Sequence, residues 1–230
     1  MANPPFSLKK WGHEQWGTDK WGRNKLGGLP PKGFADWAWV QHMFTSAMPG
    51  SGRIAVVLPQ GALSRQGVEA KIRSRVLQSR IVEAVIGLGP NLFYGTGLAA
   101  CILVLREKRD EERRDQVLFI NGEHLFKRGR NQNTFEPEHA ETILDIYRDY
   151  TDVENLAKVA TLDEIKANGD NLNIPLYIQT GTGQDEISLI DALANLEAAQ
   201  QRAAQTRAEL EDQFAKWGLS PDDIAKEVNA

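Results

Sequence analysis

The residues Asn3-Pro4-Pro5-Phe6 combine groups that suit chemistry on an exocyclic amino group. Such a group is a poor nucleophile, because its lone pair is delocalised into the ring or carbonyl that carries it. The Asn3 side-chain oxygen and the Pro4 carbonyl could accept both amino hydrogens and direct the lone pair at a methyl donor. Pro4 and Pro5 each fix their own backbone φ at about −65°, and neither has an N–H that could compete with the amino group for these oxygens. The Phe6 ring offers a stacking face for a base extruded from a duplex.

Four residues alone carry little specificity, since Asn-Pro-Pro is also an ordinary turn sequence. His42 and His139 could suggest acid–base catalysis. We assign both to structural roles, because attack by an amino group needs no general base at first. No metal site is predicted.

Residues 7–33 are predicted to be a glycine-rich loop with aromatic anchors. Trp11-Gly12, Trp16-Gly17 and Trp21-Gly22 repeat at a spacing of five, which fits neither a helix nor a strand. Tryptophans beside lysines could stack on bases or press on DNA sugars. We favour the other interpretation, in which they fix a long loop to its own domain, because loop aromatics commonly do so.

The rest of the chain alternates helical and strand patterns, which is typical of an α/β sheet with covered faces. The predicted helices span 35–48, 67–79, 138–150 and 161–167, and the predicted strands span 54–58, 81–88, 99–105 and 117–121. Strands 99–105 and 117–121 are expected to form a hairpin. Its tip, residues 106–115, holds five positive and five negative charges and is assigned to solvent without a function. Residues 168–177 are expected to be extended.

The totals are those of a soluble globular protein: 230 residues, 41% hydrophobic, 25% charged, with a net charge of −4. This charge does not exclude DNA binding, because a local basic surface is enough. Cys101 lies in an apolar run and is predicted to be a core residue. No apolar run approaches the roughly 20 residues of a membrane span, and the first residues are not a secretory signal. We expect a cytoplasmic protein.

Several blocks, in the same order, resemble the modification subunit of type I restriction-modification systems. They are Asn-Pro-Pro-Phe at 3–6, Ala-Asp-Trp-Ala-Trp-Val-Gln-His-Met at 35–43, Gly-Arg-Ile-Ala-Val-Val-Leu-Pro at 52–59, Asn-Leu-Phe-Tyr-Gly-Thr-Gly-Leu-Ala-Ala-Cys-Ile-Leu-Val-Leu at 91–105, Gly-Arg-Asn-Gln-Asn-Thr at 129–134, Pro-Glu-His at 137–139 and Asn-Leu-Asn-Ile-Pro-Leu-Tyr at 171–177. The resemblance covers about residues 3–178.

The resemblance implies methylation of adenine N6 in double-stranded DNA, with S-adenosylmethionine as the donor. It implies that Asn3, Pro4, Pro5 and Phe6 form the catalytic motif. Phe93, or as second choice Tyr94, resembles the second aromatic residue of the target-base pocket. A core position beside a strand is the other interpretation of Phe93.

The implied fold is the C-terminal half of a Rossmann-like S-adenosylmethionine-dependent methyltransferase sheet, followed by a helical extension. Sheets of this kind run in the order 3-2-1-4-5-7-6. Residues 54–58, 81–88 and 99–105 would be strands 5, 6 and 7, and 117–121 an extra strand. The family's cofactor loop, an acidic-Pro-x-x-Gly-x-Gly sequence, precedes its catalytic motif and is not found here. Gly95-x-Gly97 cannot replace it, because it leads into a strand.

We therefore expect a C-terminal fragment of such a subunit, without the main cofactor motif and without the family's helical N-terminal domain. Strand 5 would then be an open apolar edge, prone to pair with another chain. Alone, the chain is expected to show no measurable methylation and no tight donor binding.

Three segments are predicted: a partial catalytic domain at 1–178, a linker at 179–185 and a helical tail for subunit association at 186–230. Small and apolar residues alternate spacings of three and four along the tail, as in a heptad seam. They are Leu189, Ala192, Leu196, Ala199, Ala203, Thr206 and Leu210. A further helix is expected near 221–228. The implied partners are double-stranded DNA, the specificity and restriction subunits and a second modification subunit, with no membrane.

Two alternatives stay open. The chain could be a non-catalytic remnant that docks the specificity subunit, and the DNA upstream would distinguish this from a split enzyme. It could instead methylate another amino group, since Asn-Pro-Pro-aromatic also serves enzymes that modify glutamine side chains, whereas cytosine-N4 enzymes more often place Ser first. The blocks at 129–134 and 171–177 favour the type I family.

Overall fold

The computed structural model describes residues 1–179 and a helix at 189–216. The helices are α1 His13–Gly17, α2 Asp36–Ser46, α3 Gly61–Ser64, α4 Val68–Gln78, α5 Pro137–Asp149, α6 Leu162–Ala167 and α7 Leu189–Lys216. The strands are β1 Arg53–Pro59, β2 Val82–Leu88, β3 Ala100–Arg106, β4 Gln116–Gly122 and β5 Ala157–Thr161. Short 3₁₀ helices lie at Arg23–Lys25, Glu111–Arg113 and Ile174–Leu176.

The strands form one five-stranded sheet in the order β1-β3-β2-β4-β5. Strand β3 is antiparallel to both β1 and β2, with Leu103 opposite Val56 and Ile102 opposite Ile86. Strand β2 runs parallel to β4, and β5 closes that side in the antiparallel sense. The β1-β3-β2 order is the 5-7-6 order expected of the Rossmann-like methyltransferase sheet, so the predicted fold class is confirmed.

The predicted hairpin between residues 99–105 and 117–121 is wrong. Strand β3 is hydrogen-bonded on one side to β1 and on the other to β2, so neither of its edges is free for β4. Strand β4 instead pairs in parallel with the far edge of β2. Two strands that follow each other along the chain are common hairpin partners, but local hydrophobicity does not show which edges are already occupied.

The charged connection between β3 and β4 is also not simply a solvated loop. Arg109 is buried, and its guanidinium donates hydrogen bonds to the carbonyls of Val82 at 2.7 Å and Gln116 at 2.8 Å and to the Tyr150 hydroxyl at 2.9 Å. These groups belong to β2, to β4 and to the residue that follows α5. The side chain therefore joins the connection to the sheet and to α5.

Both faces of the sheet are covered, as the alternation of elements predicts. On one face β1, β3 and β2 pack with α2, α4 and α6, in a cluster that includes Trp37, Ile72 and Leu103. On the other face α5 packs Ile143 and Ile146 against β2 and β4. Cys101 is fully buried in the first cluster, so its predicted core role is confirmed.

Sequence patterns missed or misjudged some smaller elements. Strand β5 was not predicted, and residues 168–177 are not extended throughout, since they contain the 3₁₀ helix Ile174–Leu176. The loop 7–33 contains the short helix α1 and a 3₁₀ turn. The helix predicted at 161–167 is confirmed as α6, and the Thr161 hydroxyl caps it by accepting a hydrogen bond of 3.2 Å from the Glu164 amide.

The outer edge of β1 is partly covered rather than fully open. Ala2 pairs with it in the parallel sense, donating from its amide to the Ala55 carbonyl at 3.0 Å and accepting from the Val57 amide at 2.9 Å. The segment that precedes the Asn-Pro-Pro-Phe sequence thus runs alongside β1 in the same direction.

The chain divides into two compact units, Met1–Thr180 and Gly181–Ala230. In the second unit, α7 is 28 residues long, and Leu193, Leu196 and Leu210 are exposed on it. No helix in the described part of the chain is both long and apolar enough to cross a membrane. Apart from Gln179, the predicted linker lies outside the described residues, as does the helix expected near 221–228.

Candidate active site

Four loops of this chain emerge at one edge of the sheet. Strands β1, β2 and β4 point the same way, and Ala2 is parallel to β1, so the segments that follow them leave from the same end. Ligands of open α/β sheets bind at the carboxyl ends of the strands. The edge therefore brings together residues 3–7, the residues after Pro59, the loop 89–99 and the segment 123–136.

The loop of the predicted catalytic motif, residues 3–6, is fixed at both ends. Ala2 is bonded to β1 as described, and Ser7 is bonded to Asp36 in the first turn of α2. The Ser7 amide donates to Asp36 Oδ1 at 2.8 Å, and its hydroxyl donates to Oδ2 at 3.2 Å. Ser7 has a φ of 48°, which only a residue held by its surroundings adopts readily. The loop is thus presented in one conformation.

Asp36 is a fully buried carboxylate, and its charge is balanced by Arg65. Arg65 also bonds Glu69, with Nε 2.5 Å from Oε2, and its guanidinium lies over the Phe34 ring at 4.3 Å. Burial lowers the pKa of Arg65, but the bonds to Glu69 and Asp36 outweigh this effect and raise it. Arg65 therefore stays charged, and its ion pair fixes the Asp36 carboxylate where it accepts the two hydrogen bonds from Ser7.

Sequence reasoning did not single out Asp36. Its partner Ser7 lies 29 positions away, and neither spacing nor periodicity connects the two. The available signal was an acidic residue in the first turn of a helix, which usually indicates only a favourable interaction with the helix dipole.

A cavity of about 580 Å³ lies beside the loop. Its lining consists of two stretches and one further residue: 3–7, Pro59, and Phe93, Tyr94, Gly95, Thr96 and Leu98. The rings of Phe6 and Phe93 meet edge to face, with centroids 5.8 Å apart and planes at 68°. The structure thus brings Phe93 to the predicted catalytic motif and leaves Tyr94 at the rim, 94% exposed.

The two rings touch each other, so a base cannot stand between their faces as they are. Stacking on both sides of a base needs roughly 7 Å between the rings, twice the contact distance of carbon atoms. A base can stack on one ring only, or enter between them after one ring turns. The loop that carries Phe93 has glycines at 95 and 97, and Gly95 has a φ of 76°.

The polar groups of the loop are available for a ligand. Asn3 is exposed at the cavity, and among the described residues its side chain has no hydrogen-bond partner. Within the same part of the chain, the Pro4 carbonyl also accepts no bond. Two acceptors and no amide N–H at positions 4 and 5 suit a ligand that presents an amino group.

The cavity fits the methyl donor less well than it fits a ligand that presents an amino group. Binding the ribose of S-adenosylmethionine calls for an acidic side chain, and binding its remaining polar parts calls for backbone amides of a glycine-rich loop. The residues that line this cavity include no carboxylate. Gly95-x-Gly97 belongs to the exposed loop before β3 and opens no helix. The lining of this cavity therefore fits a flat ring that carries an amino group better than it fits the methyl donor.

The tryptophans of the loop 7–33 differ in burial, and the buried one supports the anchoring interpretation. Trp16 is buried, with Trp11 at 5.2 Å and the Arg23 guanidinium over its ring at 4.2 Å, so it anchors the loop. Trp21 is 69% exposed, with Lys20 Nζ at 5.3 Å from its ring. Trp21 lies beside Thr45 and Ser46 at the end of α2 and does not line the cavity.

His42 and His139, the two histidines considered for acid–base catalysis, occupy peripheral and structural positions. His139 Nδ1 accepts a hydrogen bond of 3.0 Å from the Glu136 amide and so caps the start of α5. His42 is exposed on α2, and neither histidine lines the cavity.

The antiparallel β3 inserted between two parallel strands, with an Asn-Pro-Pro-Phe loop at the carboxyl edge, is the arrangement of Rossmann-like methyltransferases. Residues 1–186 match the family model described as N-6 DNA methylase. The chain belongs to this family of S-adenosylmethionine-dependent adenine methyltransferases.

Named relatives agree with this assignment. The chain is 34% identical over 197 residues to the type I restriction enzyme MjaVII methylase subunit of Methanocaldococcus jannaschii, covering 82% of this chain and 34% of the relative. It is 33% identical over 225 residues to the HindI methylase subunit of Haemophilus influenzae, covering 94% and 49%.

The methyltransferase subunit of a type I restriction-modification system from Streptococcus thermophilus has a similar structure. Its TM-score is 0.70 at 35% identity, over 77% of this chain and 37% of that one. The chain thus spans between a third and a half of the length of these relatives, and its similarity to them covers most of its own residues.

Proposed function

We propose that this chain supplies the target-base side of a type I modification subunit that methylates adenine N6 in double-stranded DNA. The observation that supports this most directly is the cavity in which Phe6 meets Phe93 beside the unengaged oxygens of Asn3 and Pro4. An extruded adenine has a ring to stack and two amino hydrogens to donate, and the cavity offers a partner for each.

The residues of the loop act on the amino group before any bond is made. When Asn3 and the Pro4 carbonyl accept its two hydrogens, the nitrogen becomes more tetrahedral and its lone pair turns out of the ring plane. No general base is required at this stage, because the proton is released only after the nitrogen has been methylated. Asp36 contributes through Ser7 by holding the loop in place.

We propose that the methyl donor is S-adenosylmethionine and that its main binding groups belong to the family's acidic-Pro-x-x-Gly-x-Gly sequence, which these 230 residues do not contain. The isolated chain should therefore bind the donor weakly. Calorimetric titration of the 230-residue chain with S-adenosylmethionine is expected to show no saturation at micromolar concentration. A dissociation constant in the micromolar range would contradict this assignment of the donor site.

We further propose that DNA lies along the edge of the sheet that carries the cavity. Lys9 and Lys10 are exposed in the loop that directly follows the motif, and Arg128 and Arg130 are exposed on the segment after β4. Cations of this kind neutralise phosphates without reading sequence. Specificity then comes from a partner, and the exposed helix α7 is the proposed attachment for the specificity subunit, with the restriction subunit and a second modification subunit completing the complex.

The proposed activity is tested in a strain that carries the complete locus. Mapping of N6-methyladenine across its genome should show one methylated motif that disappears when Asn3 is replaced by Ala. The control is Gln78→Ala, since Gln78 is an exposed residue of α4 whose side chain bonds Ser74 on the same helix. Retention of the methylated motif in the Asn3→Ala strain would refute the proposal.

A further inference from the structure

The loop that carries Phe93, residues 89–99, has little support of its own. It leaves the sheet after β2, and Tyr94, Gly95, Gly97 and Leu98 are exposed. Within the loop, Phe93 pairs with Thr96, and the Leu98 amide donates to the Thr96 hydroxyl at 3.1 Å. These contacts close the tip but do not fix where the tip lies relative to Phe6.

The stem of that loop is held by a turn from elsewhere in the chain. Residues 127–134 form a closed turn after β4, in which the Lys127 and Thr134 backbones bond each other at 2.9 and 3.0 Å. From this turn, the Gln132 side-chain amide donates to the Leu92 carbonyl at 2.9 Å, and the Asn133 side-chain amide donates to the Pro90 carbonyl at 2.8 Å.

Two more bonds complete the contact. The Asn133 backbone amide donates to the Asn91 carbonyl at 2.9 Å, and the Asn91 side chain returns a bond of 3.1 Å to the Asn131 carbonyl. Three consecutive carbonyls of the stem, at 90, 91 and 92, are thus each bonded by this turn. Asn91 has a φ of 55°, a conformation that such a set of bonds can impose.

We infer that Gln132 and Asn133 are positioning residues that hold the stem of the Phe93 loop and thereby place Phe93 against Phe6 at the target-base cavity. The inference rests on the proposed function and extends it to residues that do not line the cavity. Side-chain amides suit this task, because each donates to a backbone carbonyl that would otherwise be left without a protein partner. The turn leaves the tip free, so Phe93 can turn to admit a base while its stem stays fixed.

The test removes the two donors without changing side-chain shape. The variant Gln132→Glu with Asn133→Asp replaces each amide NH₂ by a carboxylate oxygen and leaves the Asn133 backbone bond in place. The matched control is Gln78→Glu, which removes one exposed side-chain bond of 3.2 Å on α4. Hydrogen exchange of the full 230-residue chain is measured for residues 91–98 and for β2.

In the double variant, exchange at residues 91–98 should become at least about tenfold faster, since two hydrogen bonds are lost. Exchange in β2 should stay within about twofold of the unchanged chain. The nuclear Overhauser contact between the Phe6 and Phe93 rings, measured on selectively labelled phenylalanine, should weaken. The Gln78→Glu control should leave all three quantities unchanged.

Unchanged exchange at residues 91–98 would overturn the inference. Equal acceleration in β2 would also overturn it, because the amides would then support the whole fold rather than the loop. In the assembled enzyme, the double variant should raise KM for DNA or lower kcat by about tenfold, and a retained rate would count against the positioning role. The exchange measurement needs no methylation, so failure of the proposed function and failure of this inference are separate results.

Discussion

Phe6 and Phe93 are the residues through which the target base is expected to be held. Base–aromatic stacking contributes roughly 1–3 kcal/mol per base. Phe6→Ala should therefore lower kcat/KM of the assembled enzyme by about 10- to 100-fold, whereas Phe6→Trp, which keeps a stacking face, should lose far less. The control is Phe135→Ala, which removes a half-exposed phenylalanine that does not line the cavity. Equal kcat/KM values for Phe6→Ala and the unchanged enzyme would contradict a stacking role for Phe6.

Asp36 is expected to matter for both folding and catalysis. Replacing it by Ala removes the acceptor of both Ser7 bonds and leaves Arg65 with Glu69 alone. Because Arg65 is partly exposed and keeps one partner, we expect a loss of about 1–3 kcal/mol in the free energy of unfolding, measured by urea denaturation. Asp36→Asn keeps an acceptor for Ser7 and should retain more activity than Asp36→Ala. The same activity in both variants would contradict the anchoring role.

At this scale the sequence was informative where chemistry is local. Asn3, the prolines and Phe6 are adjacent, so their types alone indicate an amino group as target, although the role of each stays a prediction. Phe93 could be proposed only from resemblance, and contact with Phe6 became visible only in the structure. Asp36, Gln132 and Asn133 were not identified individually, because their partners lie 29 to 43 positions away along the chain.

Arg109 illustrates how an element is fixed by one side chain. Its guanidinium bonds the carbonyls of Val82 and Gln116 and the Tyr150 hydroxyl, with 8% of the residue exposed. Arg109→Ala would remove these buried bonds, leaving the Gln116 carbonyl with only the Tyr150 hydroxyl as a side-chain donor, at a cost of roughly 2–4 kcal/mol in unfolding free energy. Arg109→Lys should recover little, because a lysine cannot span the same set of acceptors.

The measurement for Arg109 is the urea midpoint, and the matched control is Arg114→Ala. Arg114 lies in the same connection, is half-exposed and pairs with Glu111 at the surface. Exposed pairs of this kind contribute about 1 kcal/mol or less. Similar losses for the two variants would show that the connection is held by its general charge and not by Arg109.

The helices and central strands of the sheet were predictable because each combines a clear period with a clear end. The pairing of β3 and β4 was not, since occupancy of strand edges is decided by the whole sheet. Strand β5 was missed because its five residues, Ala-Lys-Val-Ala-Thr, carry only one large apolar side chain. The burial of Arg109 was missed because charge composition alone does not show which arginine of the connection reaches the backbone carbonyls of β2 and β4.

For the molecule as a whole, the described core clusters lie in the first compact unit, which ends at Thr180. A chain that ends at Gln179 is therefore expected to unfold at a temperature within about 3 °C of the full chain. Differential scanning calorimetry of both chains measures this. A much lower midpoint for the shorter chain would mean that α7 stabilises the first unit, and would count against a role for this helix in binding another subunit.

Stability should fall at alkaline pH. Burial raises the pKa of the Cys101 thiol from 9.0 to about 12. Burial, with a hydrogen bond to Glu83, also raises the pKa of Tyr147 to about 12. The unfolded chain loses these protons first, so folding stability is fully present below pH 9 and declines between pH 9 and about 12. Urea midpoints at pH 8 and pH 11 should differ, and Cys101→Ala should reduce the difference. A midpoint independent of pH would contradict the burial of these groups.

The common direction of β1, β2 and β4 also determines where the molecule can be labelled. Residues 47–52 join α2 to β1 at the amino end of that strand, opposite the cavity, and are mostly exposed. A short fluorescent-tag peptide inserted between Gly50 and Ser51 would lie at the far end of the strands from Asn3. The fluorescence of such a tag would report assembly of the complex on DNA, and the loops at the cavity would keep their native lengths.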